Sequence, residues 1–117
     1  MNSFRNLMIL LVSVHVTGCA QQAGKSSLIP ACIQQKIDVL KNNPKQNPAA
    51  VVYEYTYNDQ KVYYFNSPCC DQYSYVYDSN CNVICAPDGG FTGKGDQKCK
   101  DFNEKKKDEK LIWKDER

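Results

Sequence analysis

Histidine is nearly absent from this sequence: the single one, His15, stands among 117 residues. It lies inside an N-terminal apolar run that we expect to be removed from the mature protein. A domain without imidazole has no Ser-His-Asp or Cys-His catalytic group and no histidine-ligated zinc site. Carboxylates and lysines remain as bases, so catalysis is disfavoured without being excluded. We therefore expect a non-enzyme with no catalytic residue, no cofactor and no bound metal.

A strong charge bias is also missing, since 15 Lys and Arg face 13 Asp and Glu for a net charge of +2. Nucleic-acid-binding domains usually concentrate a basic face, so this balance predicts no nucleic-acid partner. The 42% hydrophobic content and the eight tyrosines are typical of a folded domain rather than a disordered chain. The length suits one domain.

The sequence has no apolar run long enough to span a bilayer. Residues 7–16 are mainly apolar, but they would extend only roughly 15 Å as a helix, whereas the hydrocarbon core is about 30 Å thick. A short apolar run after Arg5 is typical of an export signal. The run ends at Val16, Thr17, Gly18 and Cys19, which together resemble the bacterial lipobox.

The lipobox resemblance implies a lipid anchor: a diacylglyceryl group on the Cys19 thiol and cleavage of the bond between Gly18 and Cys19. Two or three acyl chains hold a protein durably to a bilayer. Residues 20–27 are small and polar, which is typical of a flexible tether. We expect a signal peptide at 1–18, the lipidated cysteine and tether at 19–27, and a single domain at 28–117.

The residues after Cys19 also predict the location. Ala20 follows directly, so the Asp that retains some lipoproteins in the inner membrane is missing. Acidic residues begin only at Asp38, so the acidic segment associated with surface export is missing as well. We expect an exported protein, anchored to the outer membrane and facing the periplasm.

Seven cysteines in a short chain indicate an oxidising compartment. If Cys19 carries the lipid, six cysteines remain, an even number that can pair completely. No Cys-x-x-Cys pair is present, so we predict structural disulfides and keep metal binding and redox work as alternatives. We expect the adjacent Cys69 and Cys70 to bond to different elements, and the connectivity stays open. The expected framework consists of Cys32, Cys69, Cys70, Cys81, Cys85 and Cys99.

Residue periodicity predicts one helix and several short strands. The helix is expected over residues 27–43, with Ser27 as its N-cap and Pro30 in its first turn. The charged residues 100–110 are expected to form a turn or a short helix. The predicted fold class is α+β: one N-terminal helix packed on a small antiparallel sheet, stapled by up to three disulfides. Strands are predicted at 50–57, 61–65, 71–77, 81–85 and 111–113.

The glycine-rich residues 87–96 predict a rigid exposed loop, which we regard as the best surface for a partner, together with nearby tyrosines. Tyrosine faces on the strands suit sugar rings or peptides, but core and cross-strand packing is the favoured explanation for them. An irregular calcium site using Asp78, Asp88 or Asp96 is kept as an alternative. The expected contact residues of the loop are Asp88, Gly89, Gly90, Phe91, Thr92, Lys94 and Asp96.

Residues 69–102 hold a distinctive pattern of paired cysteines, Tyr-Asp, Pro-Asp-Gly-Gly and Asp-Phe. With the helix around Cys32, the strand ending at Phe65 and the strand at 111–113, this pattern resembles a family of unknown function. Its members are small lipoproteins and secreted proteins of Bacteroidota-type bacteria. The resemblance covers about residues 30–117. It implies one compact domain with cysteines as its framework, and no activity, cofactor or catalytic residue.

The sequence therefore predicts a lipid-anchored envelope protein of the binding or structural kind, whose partners are the bilayer, through acylated Cys19, and an envelope protein or glycan. One alternative is a disulfide-rich inhibitor that presents residues 87–96 to an envelope hydrolase. Another is a small enzyme that depends on carboxylates.

Overall fold

The structure is a computed structural model, and it describes residues 12–15, 18 and 28–117. The predicted signal peptide lies largely outside these ranges, and Cys19 with the tether at 20–27 lies wholly outside them. In the described ranges, neither helix combines the length and the apolar character needed to cross a bilayer. The elements are α1 (Ala31–Asn42), β1 (Val51–Tyr57), β2 (Gln60–Phe65), β3 (Tyr73–Tyr77), β4 (Val83–Gly89), α2 (Phe102–Lys105) and β5 (Lys107–Lys114).

The five strands form one antiparallel sheet in the order β4-β3-β2-β1-β5. Strands β1 to β4 follow one another as a meander, and β5 returns to pair with the outer side of β1. Together with α1 and three disulfides, this sheet confirms the predicted α+β class.

The turn between β1 and β2 shows how local chemistry sets the register. Asn58 and Asp59 have φ angles of 49° and 61°, and Tyr57 pairs with Gln60. Two-residue hairpin turns with positive φ match the twist of the flanking strands, and Asn and Asp tolerate that conformation. Alternate side chains of β1 and β2 consequently face opposite sides of the sheet.

Each face of the sheet has its own hydrophobic cluster. On one face, Ile33 and Ile37 of α1 pack against Val52 and Tyr63. On the other face, Phe102 of α2 lies at the centre of the second cluster. Burial of each such large side chain contributes about 1.5–3 kcal/mol. The second cluster comprises Tyr55, Tyr57, Val62, Val76, Cys85, Cys99 and Phe102.

Helix α1 is shorter than predicted and is capped differently. It begins after Pro30, which is its N-cap and forms no side-chain capping bond; the predicted cap, Ser27, lies outside the described residues. At the other end, the Arg117 guanidinium lies where a positive charge is favourable beside a helix C-terminus. Arg117 donates hydrogen bonds to the carbonyls of Leu40, Lys41 and Asn43.

The bounds of two predicted strands are wrong. The strand expected at 81–85 is Val83–Gly89, and the one expected at 111–113 extends over Lys107–Lys114. Residues 87–89 resemble a turn in composition, yet Asp88 and Gly89 pair with Ser74 and Tyr73 of β3. Tertiary pairing therefore overrides the local turn preference.

Candidate functional site

An open groove of about 350 Å³ lies between α1 and β3, on the face of the sheet that α1 covers. We call it the tyrosine groove. Its walls come from four parts of the chain: the C-terminal half of α1, Gln46 after that helix, the end of β2 with its connection to β3 (residues 65–72), and β3 itself. Its lining residues are Lys36, Val39, Leu40, Gln46, Phe65, Asn66, Ser67, Pro68, Gln72, Tyr73, Tyr75 and Tyr77.

The floor of the groove is a row of aromatic rings along β3. Tyr73, Tyr75 and Tyr77 are two residues apart, so their side chains share one face of the strand. The ring centroids are 6.0 Å apart for Tyr73 and Tyr75 and 6.1 Å apart for Tyr75 and Tyr77. Phe65 packs edge-on against Tyr77 at 5.4 Å. Tyr73 and Tyr75 remain 40% and 36% exposed, so the outer rings are open to a ligand.

Helix α1 contributes the charge of the groove. The Lys36 ammonium lies 4.3 Å from the centroid of the Tyr77 ring, within the range of a cation–π contact. Burial raises the pKa of the Tyr77 phenol, and the nearby Tyr75 adds to that effect. Among the described residues that line the groove, Lys36 alone is charged. The side chain of Val39 adds an exposed apolar edge.

The wall at residues 65–72 is fixed by hydrogen bonds to its surroundings. The Asn66 side chain accepts a bond from the Val51 amide at 2.8 Å and donates one to the Ala49 carbonyl at 3.0 Å. The Ser67 amide donates to the hydroxyl of Ser74, which is buried, at 3.0 Å. The groove is therefore largely pre-formed, as small-molecule sites usually are.

The prediction that Cys69 and Cys70 bond to different elements is wrong. They form a disulfide with each other, in the segment between Pro68 and Gln72, two residues that line the groove. The other four described cysteines pair across elements: Cys32 with Cys81, and Cys85 with Cys99. With those four paired, Cys69 and Cys70 are the two that remain among the cysteines that the structure describes.

The predicted partner loop lies next to the tyrosine groove. Gly90 packs beside the Tyr73 ring, and a Cβ there would lie 2.9 Å from Tyr73 Cδ1. Gly95 approaches the backbone so closely that a Cβ would lie 2.7 Å from the Pro87 carbonyl carbon. Phe91 at the loop tip is 91% exposed, and its neighbours Thr92 and Lys94 are exposed too. The freely presented part of residues 87–96 is therefore its tip.

The remaining residues of that loop are engaged in the fold. Asp88 and Gly89 belong to β4, and the Asp88 carboxylate accepts a hydrogen bond from the Tyr64 hydroxyl at 2.9 Å. The Asp96 carboxylate accepts one from the Lys98 amide at 3.0 Å. These two acidic groups stabilise local structure.

The carboxylates proposed for calcium are not gathered into one site. The Asp78 carboxylate closes its own turn, accepting bonds from the amides of Asn80 and Asn82. The Asn82 side-chain amide donates another, and these hydrogen bonds lower the pKa of Asp78. Within the described residues, no three acidic, cysteine or histidine side chains are placed to hold a metal together.

Sequence reasoning identified the tyrosines of β3 but missed most of the groove. The contributions of α1 and of residues 65–68 depend on which sheet face α1 covers, and no local pattern reveals that. The alternation of Tyr73, Tyr75 and Tyr77 is the signal that points to the floor.

Fold and groove together define a disulfide-stapled α+β domain with an open groove lined by aromatic rings. The chain belongs to the family described as a domain of unknown function (DUF6970), which matches residues 38–115, more than half of the chain. No curated protein and no solved structure matches it.

Proposed function

We propose that this chain is a non-enzymatic, lipid-anchored protein of the bacterial envelope that binds an anionic glycan in the tyrosine groove. The observation that supports this is the row of exposed rings, Tyr73 and Tyr75, in a groove that is also lined by Lys36. A tyrosine ring offers a flat apolar face and a polar tip. Both features suit a sugar ring, which has apolar faces and an edge of hydroxyl groups.

The charge of the groove favours an anionic occupant. Lys36 brings one positive charge, and no acidic side chain is among the described lining residues. A carboxylate within about 4 Å of such an ammonium gains attraction, about 4 kcal/mol at the effective dielectric near a protein surface, before desolvation is subtracted. A cationic occupant would be repelled by the Lys36 ammonium.

The sheet topology favours a glycan over an extended peptide. Strand β3 is hydrogen-bonded to β2 on one side and to β4 on the other. It therefore offers no open backbone edge, and a peptide on its face would lack the main-chain bonds of β-augmentation. The amide side chains of Gln46 and Gln72 line the groove and can both donate to and accept from sugar hydroxyls.

Calorimetric titration tests the ligand class with a uronic-acid oligosaccharide and a neutral oligosaccharide of equal length. We expect the acidic chain to bind about tenfold more tightly, and Lys36→Ala to remove that preference. Lys98→Ala, which removes an exposed lysine outside the groove, should change neither affinity. Tyr75→Ala should weaken both about tenfold, as loss of an aromatic contact commonly does. Equal affinities for the two chains, or an inert Tyr75→Ala, would contradict the proposal.

Lipid on Cys19 would hold this groove near the outer membrane, facing the periplasm, on the tether at 20–27. The lipobox resemblance supports the anchor, and so does the complete pairing of the other six cysteines. Mass analysis of native protein should give a chain that starts at an acylated Cys19. An unprocessed chain with free thiols would refute the anchor, and protease removal of the domain from intact cells would refute the periplasmic orientation.

The inhibitor alternative keeps one supporting observation, the 91% exposed Phe91 side chain on a loop closed by the Cys85–Cys99 disulfide. A rigid loop that presents one large side chain suits the specificity pocket of a hydrolase. Titration against periplasmic proteases should then show inhibition that Phe91→Ala abolishes. Absence of inhibition at micromolar protein would end this alternative. The carboxylate-enzyme alternative stays a prediction, for which Asp88→Ala and Asp96→Ala are the controls of an activity screen.

A further inference from the structure

The three disulfides differ in the length of chain that each one closes. Cys32–Cys81 joins residues 49 apart, Cys85–Cys99 joins residues 14 apart, and Cys69–Cys70 joins neighbours. In the chain-entropy description, a disulfide stabilises the fold by restricting the unfolded chain, and the effect grows with the loop it closes. A bond between adjacent residues restricts almost nothing. Cys69–Cys70 is therefore not a staple of the fold.

The disulfides also differ in their exposure to solvent. Cys85 and Cys99 are buried, at 1% and 5% exposure, whereas Cys69 and Cys70 are both exposed. Cys32, which belongs to α1, and Cys81 are both half-buried. Exchange requires a thiolate to reach a disulfide sulfur, so exposed disulfides are the labile ones. Cys69–Cys70 is the disulfide that an incoming thiolate reaches most readily.

We propose that Cys69 and Cys70 form a thiol–disulfide exchange site whose substrate is a dithiol, either a small molecule or a protein. One thiolate of the dithiol attacks Cys69 or Cys70, which forms a mixed disulfide and releases the other cysteine as a thiolate. The second thiol of the substrate then loses its proton and attacks the mixed disulfide. The substrate leaves as its disulfide, and two electrons and two protons remain on Cys69 and Cys70.

The site lies in the wall of the tyrosine groove, so exchange also bears on binding. Cys69 and Cys70 lie between Pro68 and Gln72, which both line the groove. The backbone amide of Cys69 donates to the Asn47 carbonyl at 2.6 Å, which ties this point of the wall to the segment before β1. Opening the disulfide lets the wall move between its anchors. This coupling, unlike the exchange chemistry, rests on the proposed function.

Graded reduction of the native domain tests the exchange site directly. Folded protein is treated with increasing dithiothreitol, quenched with an alkylating agent and digested for peptide mass spectrometry. We expect Cys69 and Cys70 to be alkylated at a reductant concentration about tenfold lower than the other four cysteines, with the circular dichroism unchanged. Simultaneous labelling of all three pairs, later labelling of Cys69 and Cys70, or unfolding on their reduction would overturn the proposal.

A double variant, Cys69→Ser with Cys70→Ser, provides the matched control. It should fold, keep the other two disulfides and lose the low-concentration labelling step; a persisting step would assign the lability to another pair. Calorimetry with the acidic oligosaccharide, before and after selective reduction, then tests the coupling. We expect the affinity to fall at least about threefold on reduction of the wild type and to stay constant for the double variant. Labelling needs no glycan, so failure of glycan binding leaves the exchange result intact, and the reverse also holds.

Discussion

The ring of Tyr73 lies against Gly90, so closely that a Cβ on Gly90 would fall 2.9 Å from Tyr73 Cδ1. This contact joins the floor of the tyrosine groove to the base of the loop that presents Phe91. Gly90 has a φ of +74°, a conformation that favours glycine over any residue with a Cβ. Both the backbone conformation and the neighbouring ring therefore favour glycine at this position.

Gly90→Ala and Gly93→Ala separate these two requirements. Gly93 has nearly the same φ, +73°, but a Cβ on it would meet nothing within 4 Å. We expect Gly93→Ala to cost about 1 kcal/mol of unfolding free energy for the backbone conformation alone. Gly90→Ala should cost about 1 kcal/mol more and displace the Tyr73 ring, which would weaken glycan binding. Urea unfolding and calorimetry measure both; equal stabilities and affinities of the two variants would show that the ring contact is unimportant.

The β1–β2 hairpin was predictable because its signals are local: alternating residues on both sides of Asn58 and Asp59. Strand β4 was misplaced because Pro87, Asp88 and Gly89 have turn-like composition, and only their pairing with β3 makes them a strand. The tyrosine groove could not be predicted from the sequence for a related reason. It requires the sheet order and the position of α1, which depend on contacts between residues far apart in sequence.

The disulfides Cys32–Cys81 and Cys85–Cys99 should contribute more to stability than the exposed disulfide Cys69–Cys70. The chain-entropy relation gives about 4 kcal/mol for the Cys32–Cys81 loop and about 3 kcal/mol for the Cys85–Cys99 loop. We expect paired alanine substitutions at those positions to lower the unfolding free energy by roughly these amounts. The same change at Cys69 and Cys70 should lower it by less than about 1 kcal/mol. Guanidinium unfolding measures these differences in unfolding free energy. A large loss of stability on substitution of Cys69 and Cys70 would contradict the inference that their disulfide does not staple the fold.

Asp115 should make the domain sensitive to acid. Its side chain is buried, and it accepts hydrogen bonds from the Arg117 guanidinium at 2.6 and 2.9 Å. Those bonds lower the pKa of Asp115 from 3.8 to about 2. Because the folded pKa is depressed, the stabilisation is complete above about pH 4 and is lost as the pH falls toward 2.

Asp115→Asn and Arg117→Gln should both flatten the dependence of unfolding free energy on pH in that window. Arg117→Gln should also lower stability at neutral pH, because the last carbonyls of α1 lose their donor. Asp71→Asn, which changes an exposed carboxylate outside the Asp115–Arg117 pair, is the control. Urea unfolding at a series of pH values measures this, and slopes that match the wild type in both variants would exclude Asp115 as the source.

Ionisation of Tyr64 should lower the folding stability of the domain at high pH. Burial raises the pKa of Tyr64 to about 12, and its hydrogen bond to Asp88 acts in the same direction. Burial likewise raises the pKa of Tyr63 to about 12, with Glu54 adding to the effect. Because these folded pKa values lie above the unfolded value of 10.0, the neutral phenols stabilise the fold below pH 10. That contribution is lost as the pH rises toward 12.

Tyr64→Phe isolates this contribution. We expect it to lose about 0.5–1.5 kcal/mol at neutral pH, the usual net value of a hydrogen bond, and to show a shallower loss of stability between pH 10 and 12. Tyrosinate absorbance during a slow pH titration should show one fewer late-ionising phenol than in the wild type. A loss of absorbance confined to the early part of the titration would mean that Tyr64 ionises with the exposed tyrosines, and the hydrogen bond to Asp88 would then not constrain it in solution.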